Sequence, residues 1–549
     1  MSRFCYIQLL SCCAVFLTIS LTACDERRQP LEDLAPRMTP LPQDPLVQVY
    51  FNQSESSSYK EFYREQSRYG DNFEQLIADA IAGASSTVDV AVQEFRLPVI
   101  ARVMAQKQGA GVKVRAIVEN NYSRPWSNLT TDEIGQLSER ERDRYNEFLQ
   151  LADTDKNEKI SQEEMNQGDA LVILRNAGIP IIDDTADGSK GSNLMHHKFA
   201  IVDGKTLIVT SANFTPSDIH GDFKSPLSRG NANNLLKIES VELAQIFTQE
   251  FNIMWGDGPE GKPDSKFGVK KPLRSVQNLQ VGDVKIAVQF SPVAKSVPWE
   301  QSSNGLISKT LESARKSVNL ALFVFSAQRL ANVLERDSLR GVEVKALIDP
   351  NFAYRSYSEA LDMMGVAWLE NCKVEPENRP WQKPIQTIKV PSLLEGDRLH
   401  HKFGVIDGKV VITGSHNWSE AANYGNDETL LVLENERVGA QFEREFERLY
   451  QGAVSGLPSA IAQKIQADNQ SCQPKSLAKP NVNSSPQKLI NLNTATQAEL
   501  ETLPGMGPKL AQRIILARKQ QPFTSLEDLD RVSGIGKSTL DRWRDRVTW

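Results

Sequence analysis

Short apolar runs recur along this chain, separated by stretches whose apolar positions fall three or four apart, and the whole succession occurs twice. In the first copy Val47 to Phe51 reads as a strand, Phe73 to Ala84 as a helix, and Val88 to Val92 as a strand. Val99 to Lys107 then reads as a helix and Val112 to Val118 as a strand. The second copy answers with Val284 to Phe290, Leu306 to Arg315, Val318 to Val324, Ala327 to Glu335 and Val342 to Ile348. Such alternation predicts a mostly parallel α/β sheet in each copy. Each copy ends on a helix carrying aromatics: Phe247, Phe251 and Trp255 in one, Phe442, Phe446 and Tyr450 in the other. Their helical spacing assigns them to the core. The pattern predicts two homologous α/β lobes, 47–257 and 284–455, joined by 258–283, with a shared site at their interface.

Before that last helix each copy holds the same short sentence. Residues 196–214 read HHKFAIVDGKTLIVTSANF, and residues 400–418 read HHKFGVIDGKVVITGSHNW. His196, Lys198, Asp203 and Asn213 in the first match His400, Lys402, Asp407 and Asn417 in the second. The chain has only six His, and four of them begin these two segments. Side chains two apart on a strand share a face, so the His and Lys of each HxK project together. Two copies facing each other bring together two imidazoles, two ammoniums and two amides. Lys and Asn hold a phosphate's oxygens as its charge redistributes. One imidazole can attack phosphorus while the other protonates the leaving oxygen. Asp203 and Asp407 are expected to fix the tautomer of a His. His197 and His401 point to the opposite face and are expected to pack structurally. His220 and His416 are expected at the surface or rim, Phe214 and Trp418 in the core.

HxKxxxxD followed by Gly414, Ser415 and Asn417 resembles the signature of the phospholipase D superfamily. The first copy departs mildly, with Thr210 where that family has Gly. The resemblance implies a two-step displacement through a phosphohistidine, without a catalytic metal, with His196 as nucleophile and His400 as general acid. Many members carry an acidic residue after the Asn, and Glu428 fits. Aligning Gly230-Asn231-Ala232-Asn233 beneath Gly425-Asn426-Asp427-Glu428 puts Asn233 at that place, so the half-sites are not equivalent. The expected fold class is α/β, two homologous phospholipase D-like lobes sharing one active site, plus a small all-α domain.

From Val112 to His196 is 84 positions and from Val342 to His400 is 58, so lobe 1 carries 26 extra residues. They fall at about 132–168, where DTDKNEKISQEE (153–164) resembles an EF-hand loop. Asp153, Asp155, Asn157, the carbonyl of Lys159, Ser161 and a bidentate Glu164 are the expected ligands of Ca2+. Glu158 stands where Gly allows the sharp turn, so weak binding in a stabilising or regulatory role is expected. The alternative is an acidic solvated loop between helices.

Residues 456–487 are polar, contain Pro474, Pro480 and Pro486, and read as a linker. In 488–549 two Gly-x-Gly turns, Gly505-Met506-Gly507 and Gly534-Ile535-Gly536, each end one helical stretch and open another. Gly lets backbone approach a phosphate, the new helix offers free N–H groups, and Lys509 and Lys537 add charge there. The segment resembles a tandem ComEA-like helix-hairpin-helix domain, which implies sequence-independent binding of the duplex backbone. It carries ten cationic and seven anionic side chains, a net of +3 on a chain whose total is −6. That total excludes a globally basic nucleic-acid binder, so any basic groove must be local. A helical protein-binding module is the alternative.

The chain opens with Arg3, an apolar stretch from about Ile7 to Leu21 and then Leu21-Thr22-Ala23-Cys24, a signal peptide resembling a bacterial lipobox. Cys24 is the expected lipidation site, with 25–46 as a tether, placing the protein at the cell envelope outside the cytoplasm. Cys372 and Cys472 could bridge in such a compartment or stay as free thiols. Together these readings favour a lipid-anchored, metal-independent nuclease acting on DNA. A phospholipase or phosphatidyl transferase, with the loop 371–399 and its Trp381 touching lipid, is the second reading. A DNA-capture receptor without turnover is the third. No obligate protein partner is inferred.

Overall fold

The computed structural model describes residues 36–157, 160–189, 192–259, 261–369, 372, 379–472, 489–503, 506–525, 527–532, 535, 543 and 546–549. They fall into two compact units, divided between Cys472 and Gln473.

In the first unit, lobe 1 runs through β1 (Val47–Phe51), α1 (Phe73–Ala82), β2 (Thr87–Val92), α2 (Pro98–Gly109) and β3 (Lys113–Val118). The insertion adds α3 (Thr131–Gln136), α4 (Glu139–Ala152) and α5 (Gln162–Gly168). Then come α6 (Ala170–Asn176), β4 (Ile181–Asp183), β5 (Lys198–Val202), β6 (Thr206–Thr210), β7 (Asn234–Glu239) and α7 (Val241–Trp255). Lobe 2 repeats the plan: β8 (Gln277–Val281), β9 (Val284–Ser291), α8 (Ser303–Leu311), β10 (Ser317–Leu322), α9 (Gln328–Leu339) and β11 (Glu343–Ile348). It continues with α10 (Pro350–Ala353), β12 (Ile388–Val390), β13 (Lys402–Ile406), β14 (Val410–Gly414), β15 (Glu428–Glu434), α11 (Glu436–Gln451), β16 (Val454–Ser455) and α12 (Ser459–Ser471).

The strand order is β1-β7-β6-β5-β2-β3-β4 in lobe 1 and β8-β9-β15-β14-β13-β10-β11-β12-β16 in lobe 2. The sheets are not mostly parallel. Only β2-β3-β4 and β10-β11-β12 pair in parallel, and every other neighbour is antiparallel. The βαβ units dictate the parallel part. The Asp-Gly turns after the HxK strands dictate the rest: Asp203-Gly204 and Asp407-Gly408 all have positive φ, the conformation a tight hairpin requires.

The two lobes share one central core. Phe247 of α7 meets Phe290 of β9 edge-on at 5.1 Å, and Phe442 of α11 meets Phe51 of β1 at 5.2 Å. α7 of lobe 1 thus packs on β9 of lobe 2, and α11 of lobe 2 on β1 of lobe 1. The 258–283 connection is clamped between them. Its Lys271 and Arg274 are ion-paired with buried Glu250, Lys271 also with Asp427, and Gly268 N–H donates to Asp427.

The expected linker from 456 onward begins instead with α12, fixed to lobe 2. Trp368 Nε1–H donates to Asp468 at 3.0 Å, Leu369 N–H donates to Asn469 at 2.7 Å, and Cys372 is bridged to Cys472. Trp381 is buried in the lobe 2 core, so it is not the lipid contact the sequence suggested.

The second unit contains a short helix, Gln497–Leu500, then Pro508–Gln520, around its own core of Leu492, Leu500, Ile514, Phe523, Leu529 and Trp543. Two short segments, Ile490–Asn491 and Val547–Thr548, pair across its ends. Among the described residues no helix is long and apolar enough to cross a membrane. Cys24 and the leader lie outside the described residues.

Candidate active site

β5 and β13 carry Lys198 and Lys402 at their starts, with His196 and His400 just before them. Both His line one cleft of about 440 Å3 between the lobes, with Gln93, Asn213, Asp218, Asn231, Phe323 and Arg398. Lys198 and Lys402 are fully buried, each ammonium donating to the carbonyl of its own His, at 2.9 and 2.6 Å. Lys198 also donates to Gln93. Asn213 N–H donates to Asp218, leaving the Asn213 carboxamide oxygen without a partner. Asn417, the matching residue, is half-buried with its carboxamide oxygen likewise unpaired.

The partner of each His comes from the opposite lobe. His196 Nδ1–H donates to Glu428 at 2.6 Å, and Glu428 also accepts from Ser415 Oγ at 2.7 Å. His400 Nδ1–H donates to the Asn233 carboxamide oxygen at 3.0 Å, which in turn accepts from Ser211 Oγ at 2.7 Å. The backbone repeats the exchange: His196 N–H donates to the Asp427 carbonyl and His400 N–H to the Ala232 carbonyl. Register supports the alignment of Asn233 with Glu428, because Thr210 pairs with Leu235 as Gly414 pairs with Leu430.

Asp203 and Asp407 do not touch a His, which corrects the role expected for them. Each sits in its hairpin turn, a strand's length from the cleft. Asp203 accepts backbone N–H from Ser85, Ser86 and Thr87; Asp407 accepts those of Arg315, Lys316 and Ser317. They anchor the entries to β2 and β10. A carboxylate that the sequence did not single out, Asp218, stands 3.5 Å from His400 Nδ1. No spacing flags it, since it follows the motif on a short separate helix.

His197 and His401 turn to the opposite face, where Thr429 and Glu250 hold one and Asn234 and Glu445 the other. His220 and His416 are fully buried rather than at the rim. His220 is enclosed by Glu74 and Tyr59, and His416 follows Ser415 into the interior.

Burial sets the protonation of the cleft. It drives His196 down, against the upward pull of Glu428, to about 4. Burial pushes Glu428 up, but His196 and then His416 and Lys198 reverse this, to about 2. The pair is therefore carboxylate and neutral imidazole, with Nε2 of His196 unprotonated. Burial, then Lys402 and Lys198, hold His400 well below its usual value. Burial lowers Lys198 to about 8, and burial with the charge of Lys198 lowers Lys402 to about 7.

The insertion forms one wall of this cleft. Glu139, Arg140, Asp143, Arg144 and Glu147 of α4 all line it, and Arg144 pairs with Glu94 at 3.0 Å. The lining holds six carboxylates (Glu94, Glu139, Asp143, Glu147, Asp218 and Asp222) against three arginines (Arg140, Arg144 and Arg398). Of the six, Glu147 has its carboxyl pushed well up by burial, so the charge of the lining is more balanced than that count.

α4 ends at the 153–164 loop. Carboxylate oxygens of Asp153, Asp155 and Glu164 lie within 4.8 Å of one another, a set of hard oxygens suited to Ca2+. Asn157 N–H donates to Asp153 and Asp155, and Glu164 also caps α5 by accepting from Ser161. Lys159 lies outside the described residues.

In the second unit Gly507 is the N-cap of the Pro508–Gln520 helix, with open space where a Cβ would stand, and Lys509 lies in its first turn. Gly505, Gly534, Gly536 and Lys537 lie outside the described residues.

Two lobes that each lend a His to one cleft, backed by a buried Lys, make a site built by duplication. The chain belongs to the phospholipase D-like family: the family described as "Cardiolipin synthase, PLD-like domain" matches residues 77–255 and 307–450. A helix-hairpin-helix motif matches residues 485–548. The chain is 30% identical over 156 residues to the mitochondrial cardiolipin hydrolase of Canis lupus familiaris, covering 28% of this chain and 54% of that protein. The Xenopus laevis protein of the same name is 29% identical over 187 residues, covering 33% and 79%. The match thus spans little more than half of the dog relative. Among solved structures it is similar to Nuc of Salmonella typhimurium, a phospholipase D family member (21% identity, TM-score 0.25, covering 32% of this chain and 100% of that one). It is also similar to the phosphatidylserine synthase of Haemophilus influenzae (12% identity, TM-score 0.43, covering 77% and 94%).

Proposed function

We propose that this protein is a metal-independent endonuclease that cleaves DNA through a phosphohistidine. The observation that carries the substrate choice is the fusion of the phosphodiesterase to a helix-hairpin-helix segment. A module that holds nucleic-acid backbone raises the local concentration of phosphodiester at the cleft. His196 Nε2 attacks phosphorus, forming an N–P bond as the P–O bond to the leaving nucleotide breaks. His400 gives that oxygen a proton. Glu428 balances the charge that builds on His196, and Lys198 and Lys402 hold the non-bridging oxygens. Water, deprotonated by His400, then cleaves the N–P bond and restores both imidazoles. His400 can be protonated for the first step because the phosphate's negative charge offsets the two ammoniums that hold it down.

In this reading Asp153, Asp155, Asn157 and Glu164 hold Ca2+ weakly and stiffen the end of α4, while the chemistry needs no metal. The chain is lipidated at Cys24 and works outside the cytoplasm, a reading that the Cys372–Cys472 bridge supports. The test incubates the protein in EDTA with duplex DNA, with single-stranded DNA and with phosphatidylcholine or cardiolipin vesicles, with His196→Ala as control. DNA cleavage that the variant lacks is expected. Lipid hydrolysis with intact DNA would replace this reading by the phospholipase one, and DNA retention without cleavage by the capture-receptor one.

A further inference from the structure

Lobe 2 carries a second cavity, of about 370 Å3, that the reaction cleft does not use. It lies where α10, the loop after it and α12 meet. Tyr354, Tyr357 and Trp368 line it beside Arg355 and Lys464, with no carboxylate among the lining residues. The Lys464 ammonium stands 5.0 Å over the Trp368 ring. Trp368 is fixed by its bond to Asp468, and Tyr354 by its hydroxyl donating to the Gly456 carbonyl at 3.0 Å. The Cys372–Cys472 bridge ties the loop beyond Trp368 to the end of α12. Trp368 and Tyr354 are therefore held before any ligand arrives, while Tyr357 stands exposed at the rim.

The cavity is linked to the reaction site. Phe352, on α10, meets Phe323 edge-on at 4.6 Å, and Phe323 meets His400 edge-on at 4.9 Å. Both Phe rings are half-buried, and Phe323 lines the cleft. Lobe 1 has Gln93 where lobe 2 has Phe323, so this line of rings exists on the His400 side alone.

We propose that the cavity is an accessory subsite for one unstacked nucleotide of a single-stranded nucleic acid whose scissile phosphate lies at His196 and His400. The strand runs from the cleft along Phe323 and Phe352. Aromatic faces with nearby cations suit a base and its phosphate together, without sequence preference. Paired bases in a duplex do not offer their faces, so a single strand gains from the subsite and a duplex does not. Because His400 protonates the leaving oxygen, the leaving portion of the strand occupies it. This inference rests on the nuclease reading.

The experiment compares kcat/KM of the full chain for a dinucleotide and for a single strand of about twenty residues, a length that spans such a tract. The longer substrate is expected to be favoured by about tenfold or more, and Arg355→Ala/Tyr357→Ala to bring the ratio toward one. Both side chains are exposed, so the double variant should fold. A ratio that the variant leaves unchanged, or a parent that shows no gain with length, overturns the subsite and leaves the nuclease reading standing. A parent that cleaves neither oligonucleotide but hydrolyses anionic phospholipid vesicles overturns both.

Discussion

His196 Nδ1–H donates to the Glu428 carboxylate, whereas His400 Nδ1–H donates to the Asn233 carboxamide with the Asp218 carboxylate 3.5 Å away. Glu428 favours a nucleophile whose charge rises during attack, and Asn233 favours a group that must give up its proton. This asymmetry is consistent with the roles proposed for the two His. It also shapes the pH dependence. Attack needs His196 unprotonated, and burial holds that group at about 4 against the pull of Glu428. Phosphate binding needs Lys402 protonated, and burial together with Lys198 holds it at about 7. Because kcat/KM reports the free protein, and burial with Lys402 and Lys198 holds the proton donor His400 well below its usual value, kcat/KM should already be falling below the ordinary imidazole range, and the loss of the Lys402 charge at about pH 7 should steepen that fall. A bound phosphodiester raises Lys402, so the alkaline fall in kcat should lie at higher pH than that in kcat/KM. Initial rates across that range with a small phosphodiester check this. A kcat/KM still rising above pH 8 would contradict the assignment of Lys402.

The HxK strands, their hairpins and the two-lobe repeat were legible because period and spacing are local properties. What lay across the interface was not. Nothing in the run from 196 to 214 says that its His is completed by residue 428. Asp203 and Asp407 match the motif so well that the sequence suggests a chemical role, yet their place at the end of a strand carries them to the anchoring turn. The parallel sheet was expected because helices and strands alternate, and the hairpins that follow outnumber the βαβ steps. α12 was read as linker because Ile461 and Ile465 make only a thin apolar stripe beside the prolines at 474, 480 and 486. Its anchors, Trp368 and Cys372, are about a hundred residues away. The bridge from Cys372 to Cys472 closes a span of 100 residues. The chain-entropy estimate for such a loop is about 4–5 kcal/mol. Cys372→Ser should therefore lower the unfolding free energy of the first unit by about that amount, read from urea titrations of parent and variant. Equal midpoints would show that α12 is held by its other contacts alone.

At the scale of the whole chain, the proposed function divides cleavage and backbone binding between the two units. Removing 473–549 should weaken duplex affinity by tenfold or more at moderate salt, since each lost phosphate contact removes roughly 0.9 from the slope of log K against log salt. Binding isotherms of His196→Ala with and without that deletion, at several salt concentrations, measure it. An unchanged slope would mean that the tail does not touch phosphate. The exchange of partners between lobes carries one more consequence. Synthesis delivers His196 more than two hundred residues before Glu428 and His400. An emerging lobe 1 holds a nucleophile with neither its carboxylate nor its proton donor. A growing chain therefore holds His196 without the residue that completes it until lobe 2 has been made.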